Sequence, residues 1–227
     1  MKKIGIVVAI SGEFSAFLND SSISSKMISI DGRDVYKCYI NSNEVYFLQS
    51  GWGEIDAAIG VQLLISKFGC EYILNYGVVG ALKRDMFVNE VYLVSKVVHY
   101  DFDTTKIDHT RIGQYHEFVD EYMPFSSHLN LLAKELYPGI KDVICASGDK
   151  FVEDRKFKKK LADDFNASIC DMEAAGIVRA SFRNGVECLS IKCISDTLDG
   201  NGHDFKVNIA KGSVKAFKLL KEIIMKL

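Results

Sequence analysis

Short apolar runs alternate with segments whose apolar residues recur at helical spacing along most of this chain. This alternation predicts an α/β fold, in which a mostly parallel sheet is covered by helices on both faces. The runs that predict strands are residues 3–10, 34–40, 44–50, 72–75, 90–99, 142–146, 167–171 and 187–194. The segments that predict helices are residues 12–19, 54–68, 127–136, 155–165, 173–184 and 205–225.

The segments between these elements are short turns and one long loop. Asn-Ser-Asn at residues 41–43 separates two strand-like runs and predicts a hairpin with a polar turn. Gly-Val-Val-Gly at residues 77–80 predicts a connection between two strands. Residues 100–125 are polar, aromatic and aperiodic, and a loop this long in a compact domain is usually functional or mobile. Because no repeat or proline-rich linker interrupts the pattern, we expect a single domain over residues 1–227.

The composition excludes several classes of protein. Of 227 residues, 48% are hydrophobic and 26% are charged, which is ordinary for a globular protein with a sizeable core. A net charge of -2 argues against broad electrostatic binding to nucleic acid or to an anionic membrane. The basic run at residues 155–160 is expected on the solvated face of a helix.

The cysteines and the first residues indicate a cytoplasmic protein. Six cysteines form no C-x-x-C pair and mostly lie in apolar runs, as reduced buried thiols do, so we expect no zinc or disulfide framework. The apolar residues 4–10 superficially resemble a signal peptide, but Ser-Gly-Glu follows at once, and we interpret them as a buried strand. No later apolar stretch approaches transmembrane length.

Three acidic residues stand where predicted strands end. Glu13 follows the first strand, Glu173 opens an alanine-rich helix directly after a strand, and Asp196 closes the apolar run that begins at residue 187. Ligands of α/β proteins bind at the carboxyl ends of the strands. We therefore expect these carboxylates to meet in one cleft, where they can serve one substrate as acid and polar anchors.

Each of these residues also has a purely structural explanation. Asp196 can cap a turn, Glu173 can interact with the dipole of its helix, and Glu13 can simply begin the first helix. An aromatic residue such as Phe151, taken alone, is more often part of a core than a platform for a ligand. Only the joint pattern favours a site. The spacing around His99 is too weak to indicate a metal, and we expect none.

Six short motifs follow one another in order from the first strand towards the last helix. They are Lys3-Ile4-Gly5-Ile6 leading to Glu13, Ser50-Gly51-Trp52-Gly53, Asn75-Tyr76-Gly77-Val78-Val79-Gly80, Ser147-Gly148-Asp149-Lys150-Phe151-Val152, Asp171-Met172-Glu173-Ala174 and Ile194-Ser195-Asp196. Each motif alone is weak, but their order and spacing are specific. With them the chain resembles the purine nucleoside phosphorylase and nucleosidase superfamily, and within it the 5'-methylthioadenosine/S-adenosylhomocysteine nucleosidases.

The resemblance implies a single three-layer α/β/α domain around a mixed, partly closed sheet, usually assembled as a homodimer. It implies a small purine nucleoside as the partner, with no metal and no organic cofactor. By the family pattern, Asp196 would be the acid and Ser195 would assist it. Glu173 and Met172 would contact the ribose, while Phe151 and the Val152 backbone would contact the base. Glu13 would position and deprotonate the attacking water.

The chain departs from the family pattern at the end of the site that holds the nucleophile. Phosphorylases of the superfamily carry an arginine and a serine around the glycine motif, where this chain has Asn75 and Val78. A phosphate dianion would lack these partners, which favours water, although nucleosidases also commonly keep the serine. Lys192 stands where the nucleosidase pattern has arginine, and Gly12 stands where an acidic residue is common.

Three functions remain open from the sequence. The first is hydrolysis of an adenine nucleoside with a 5'-thioether, which serves methionine salvage. The second is phosphorolysis, or hydrolysis of another nucleoside such as futalosine. The third is a non-catalytic nucleoside-binding protein that kept the pocket and lost turnover.

Overall fold

The computed structural model describes residues 1–227, which form ten strands and seven helices. The strands are β1 (Lys3–Val8), β2 (Ser25–Ile30), β3 (Arg33–Ile40), β4 (Asn43–Gln49), β5 (Tyr72–Ala81), β6 (Val91–His99), β7 (Met123–Pro124), β8 (Lys141–Ser147), β9 (Ile169–Asp171) and β10 (Glu187–Asp196). The helices are α1 (Ser11–Leu18), α2 (Glu54–Phe68), α3 (Thr105–Asp108), α4 (Ser127–Leu136), α5 (Arg155–Phe165), α6 (Ala174–Arg183) and α7 (Gly202–Ile224).

All ten strands belong to one mixed sheet, and part of this sheet closes on itself. β5 pairs in parallel with β10, β10 pairs antiparallel with β6, and β6 pairs in parallel with β8. β8 then pairs in parallel with β9, and β9 returns antiparallel to β5. These five strands form a ring, from which β1, β4, β3 and β2 extend as an open sheet. The predicted mixed, partly closed sheet is confirmed.

Helices cover both faces of the sheet, and each face has its own apolar cluster beneath its helices. On one face α2 and α6 pack over a cluster that includes Val61 and Ile177. On the other face α1, α4 and α7 pack over a cluster that includes Phe17, Leu129 and Phe217. The predicted α/β/α layering is therefore confirmed.

Local sequence signals set the ends of several helices where they were predicted. Ser126 accepts a hydrogen bond from the Leu129 amide at the start of α4, and Asp154 accepts one from the Phe157 amide at the start of α5. Gly69 ends α2 in the left-handed region at φ 69°, where glycine has no steric penalty. The bounds of α2, α4 and α5 therefore match the prediction, and β3 and β4 form the predicted hairpin.

Some elements differ from the prediction because their tertiary partners override local signals. The glycine-rich residues 77–80 do not connect two strands but continue β5, which stays paired with β10 along this stretch. β2 was not predicted, since it is an edge strand whose residues are mostly exposed. Residues 100–125 are a long connection as expected, but they contain α3 and β7. None of the helices has the length and apolar character needed to cross a bilayer.

Candidate active site

A cavity opens at the rim of the sheet, where β1, β5, β9 and β10 end. Together with its open mouth, the cavity encloses about 520 Å³ of space that no protein atom fills. The residues that line it come from segments far apart in the sequence: Ala9, Ile10, Glu13, Trp52, Val78, Val79, Gly80, Lys150, Phe151, Val152, Cys170, Asp171, Met172, Glu173, Asp196 and Phe205.

Glu13, in the first turn of α1, is fixed by three backbone amides. Its Oε2 accepts hydrogen bonds from the amides of Ala9 (3.1 Å) and Ile10 (3.4 Å), and its Oε1 accepts one from the Val78 amide (2.9 Å). A side chain at Gly77 would collide with this carboxylate, which explains a glycine inside β5. Burial raises the pKa of Glu13, and the Lys192 charge and the amide bonds only partly offset that.

Glu173 lies at the N-cap of α6 and faces the same cavity. Its Oε1 accepts a hydrogen bond from the Gly53 amide at 3.0 Å. Burial and the neighbouring Asp171 carboxylate raise the pKa of Glu173 to about 8. At neutral pH the protonated form of this carboxyl is therefore favoured in the free protein.

A buried polar network lies behind Glu173. The Lys192 ammonium is 2.9 Å from Asp171 Oδ2, and the Ser147 hydroxyl is 2.5 Å from both Asp171 Oδ1 and Glu54 Oε1. Burial and then the Asp171 charge raise the pKa of Glu54 to about 8. Burial favours the protonated form of Asp171, but the Lys192 charge and these hydrogen bonds outweigh it and lower its pKa. The network therefore holds one anion and one cation beside neutral Glu54.

Asp196 ends β10 with both carboxylate oxygens in contact with donors. The Ser195 hydroxyl lies 2.9 Å from Oδ1, and the Lys158 ammonium donates to Oδ2 at 2.7 Å. The pairing of β10 with β5 shifts register between Ile194 and Asp196, and such bulges re-aim side chains near active sites. The register places Asp196 opposite Gly80, where a Cβ would come within 3.0 Å of the carboxylate.

The mouth of the cavity is aromatic. Phe151 is 41% exposed and meets Phe205 edge to face, with 5.4 Å between ring centroids. Trp52 lies 6.5 Å from Phe205, and with Met172 these residues form an apolar annex that ends at Gly202 and Lys206. A flat ring and an apolar substituent both find complementary surface here.

Seven of the nine residues that the sequence indicated line the cavity: Glu13, Val78, Phe151, Val152, Met172, Glu173 and Asp196. The other two lie behind it. Ser195 is fully buried against Asp196 and the Val79 carbonyl, and Lys192 is buried against Asp171. The aromatic residues of the loop 100–125 do not line the cavity.

Several residues at the site were not indicated by the sequence reasoning, among them Trp52, Lys158, Asp171 and Phe205. Lys158 was expected on the solvated face of α5 with its basic neighbours, but it is fully buried. Its spacing from Leu161 and Phe165 is the signal that was available, because positions three and seven residues apart share a helix face. Trp52 and Asp171 lie within the motifs, and Phe205 follows the last of them, but no local feature of the sequence indicates that these residues belong to the site.

The arrangement suits a ligand that has a flat polar ring and, attached to it, a group that carries hydroxyls. The aromatic mouth can stack against the ring, and Asp196 can exchange a proton or hydrogen bond with it. Glu173 can both donate to and accept from hydroxyl groups while it is neutral. No cluster of three or more His, Cys, Asp or Glu side chains is arranged to hold a metal ion.

Comparisons with known proteins agree with this geometry. The family described as the Phosphorylase superfamily matches residues 3–225. An aminodeoxyfutalosine nucleosidase of Helicobacter pylori is 28% identical, over 99% of each chain. A 5'-methylthioadenosine/S-adenosylhomocysteine nucleosidase of Staphylococcus saprophyticus is also 28% identical, over 97% of this chain and 98% of its own. The crystal structure of a Helicobacter pylori 5'-methylthioadenosine/S-adenosyl homocysteine nucleosidase superposes with a TM-score of 0.93, at 28% identity, covering 100% of this chain and 99% of that one.

Proposed function

This chain belongs to the Phosphorylase superfamily, and from that premise we propose that it is a nucleosidase, which hydrolyses the N-ribosidic bond of a 5'-substituted adenine nucleoside and releases adenine. The observation that carries the proposal is the convergence of Glu13, Glu173 and Asp196 on one cavity with an aromatic wall. Three carboxyls around one cavity can supply an acid, a base and a sugar anchor.

In the proposed reaction Asp196 delivers a proton to N7 of the purine as the bond between C1' and N9 breaks. The bonding electrons leave with the base, and the sugar passes through an oxocarbenium-like state. The Ser195 hydroxyl, 2.9 Å from Asp196 Oδ1, steadies the acid. Phe151 stacks on the base, and the Val152 backbone contacts its edge.

Water attacks C1' from the side of Glu13, which takes its proton. Three amide donors hold the Glu13 carboxylate in one orientation, and a raised pKa makes it a better base near neutral pH. Glu173 binds the ribose hydroxyls, with Met172 beneath the sugar.

Water is the proposed nucleophile rather than phosphate. Lys192 is buried against Asp171 and Val78 has no hydroxyl, so neither side chain offers a phosphate dianion a partner in the cavity. Lys150 is the cation that does line the cavity, and it lies 4.4 Å from the Phe157 ring centroid. The Glu13 carboxylate, at the end of the cavity where the nucleophile would bind, would repel a phosphate dianion.

The apolar annex at Trp52, Met172 and Phe205 supports an apolar 5' substituent, either a thioether or an aromatic group. A thioether substrate would place the protein in methionine salvage. Hydrolysis of a futalosine-type nucleoside is the second candidate. It is favoured by the aminodeoxyfutalosine nucleosidase, which is as similar to this chain as the Staphylococcus relative.

In this proposal the chain is a single-domain cytoplasmic protein that forms a homodimer. One sheet runs through both apolar clusters, which supports a single folding unit. Ile55 and Ile59 lie one turn apart and exposed on α2, and Phe182 is exposed on α6, which packs beside α2. An apolar surface of this kind supports a homodimer interface.

Product analysis tests the proposed function. The protein is incubated with methylthioadenosine, adenosylhomocysteine, inosine and aminodeoxyfutalosine, with and without phosphate, and the products are separated by chromatography. Adenine and free sugar are expected at the same rate in both buffers. Cleavage that requires phosphate, with a sugar 1-phosphate as product, would refute hydrolysis. Tight binding of a nucleoside without release of base would indicate the non-catalytic alternative.

A further inference from the structure

The most unusual side chain outside the proposed reaction is Lys158, whose ammonium is sealed inside the protein. Its exposure is 0%, while the basic residues around it on α5 are exposed. A buried charge is retained only where it is paired and hydrogen-bonded. Three acceptors surround the three N–H groups of Lys158: Asp196 Oδ2 at 2.7 Å, the Thr197 carbonyl at 2.8 Å and the Gly200 carbonyl at 3.5 Å.

These contacts connect two parts of the site. α5 follows the segment that carries Phe151 and Val152, and Asp196 with the turn 197–200 precedes α7, which carries Phe205. Lys158 therefore joins the segment beside the base to the strand end that holds the acid. Its contact with Asp196 Oδ2 leaves the carboxyl little freedom, because the Ser195 hydroxyl lies at Oδ1 and Gly80 packs against it.

The charge of Lys158 also bears on what Asp196 does. A carboxylic acid that gives its proton to a leaving group becomes an anion at that moment. A cation fixed 2.7 Å away stabilises this anion without having to reorganise.

We infer that Lys158 is a positioning residue for catalysis, which orients the Asp196 carboxyl and stabilises the negative charge it gains when its proton moves to the base. This inference rests on the proposed function. In the step, the proton leaves the Asp196 carboxyl for N7, the C1'–N9 electron pair goes to the base, and Lys158 keeps all of its protons. Solvent returns a proton to Asp196 after the products leave.

The test compares Lys158→Met with Lys158→Arg and with Lys159→Met, whose side chain is an exposed neighbour on α5. In Lys158→Met we expect kcat to fall by roughly a hundredfold with little change in KM, since a preorganised charge is lost. Lys158→Arg keeps the charge and should restore much of the rate lost in Lys158→Met, and Lys159→Met should keep the rate of the unmodified protein.

An unchanged kcat in Lys158→Met, or a loss in Lys158→Arg as large as in Lys158→Met, would overturn the inference. If that variant does not fold, Lys158→Gln takes its place, since it retains N–H donors without the charge. Urea unfolding of Lys158→Met, Asp196→Asn and the double variant tests the pairing independently of activity. The double variant should lose less stability than the sum of the single losses, and strict additivity would overturn the pairing. Failure of the unmodified protein to cleave any nucleoside would instead refute the proposed function.

Discussion

Lys192 and Asp171 form an ion pair at 2.9 Å in which each side chain is only 3% exposed. Lys192 therefore lies behind the cavity and does not line its surface. Burial opposes the charged form of Lys192, but the Asp171 carboxylate beside it outweighs burial and raises the pKa of Lys192. The lysine that stands in place of the family's arginine is thus the cation that balances the Asp171 anion.

Removal of Lys192 should destabilise the protein severely. In Lys192→Met the Asp171 charge loses its partner inside the protein, and breaking a buried pair costs about 3–5 kcal/mol. Urea unfolding measures this loss, and Lys192→Met with Asp171→Asn should recover much of it. Lys134→Met is the matched control, since its pair with Asp142 lies at the surface and should cost at most about 1 kcal/mol. Equal losses in the two lysine variants would contradict the importance of burial.

Neutralisation of either proposed catalytic carboxyl should nearly abolish cleavage. Asp196→Asn removes the transferable proton but leaves an oxygen for Lys158, and Glu13→Gln removes the base but keeps its shape. Each change should lower kcat by about 10²–10⁴-fold, the usual contribution of an acid or base. Release of adenine is followed together with circular dichroism to verify the fold. Asp199→Asn, at an exposed acid that pairs with Arg155, should retain full activity.

The stability of the protein should depend on pH through Glu54. The folded protein holds the Glu54 proton up to about pH 8, whereas the unfolded chain loses it near 4.5. The folded state therefore binds more protons over this range, and stability falls as pH rises from about 4.5 to about 8. Glu173, whose pKa is raised in the same direction, adds to this slope.

Glu54→Gln should reduce that slope without loss of the fold. Its amide can donate to Ser147 and its oxygen can accept from the Gly176 amide, the contacts that neutral Glu54 makes. Unfolding free energies at pH 5, 6.5 and 8 measure the slope. The exposed Glu135→Gln should leave the slope as it is. If Glu54→Gln has the same slope as the unmodified protein, Glu54 does not carry this proton.

A charge on the exposed face of α2 should disrupt the proposed homodimer. Ile55 is 72% exposed in the single chain, and Ile55→Glu would place a desolvated carboxylate in the interface. Sedimentation velocity should show a dimer for the unmodified protein and a monomer for this variant. Val214→Glu, at an exposed valine on α7, should remain dimeric. A monomeric unmodified protein would refute the assembly.

Local patterns predicted much of the fold, because the signals that set these elements act within a few residues. Ser126 and Asp154 cap the starts of α4 and α5, and their side chains accept hydrogen bonds from amides three residues on. Gly69 caps the end of α2 for an equally local reason. β5 was predicted too short because glycines usually interrupt strands, whereas here Gly77 and Gly80 make room for Glu13 and Asp196.

The sequence by itself determined the α/β class, the layering and the strand ends at which three acids would stand, since these follow from periodicity and from motif order. Only the tertiary structure decided the state and partners of those acids. Lys158 reaches Asp196 across 38 residues, and Glu173 meets Gly53 across 120. Charge and protonation depend on burial and on neighbours brought together by packing. The sequence pattern therefore predicted that Lys158 is solvated, whereas the packing of α5 against the end of β10 places it beside Asp196.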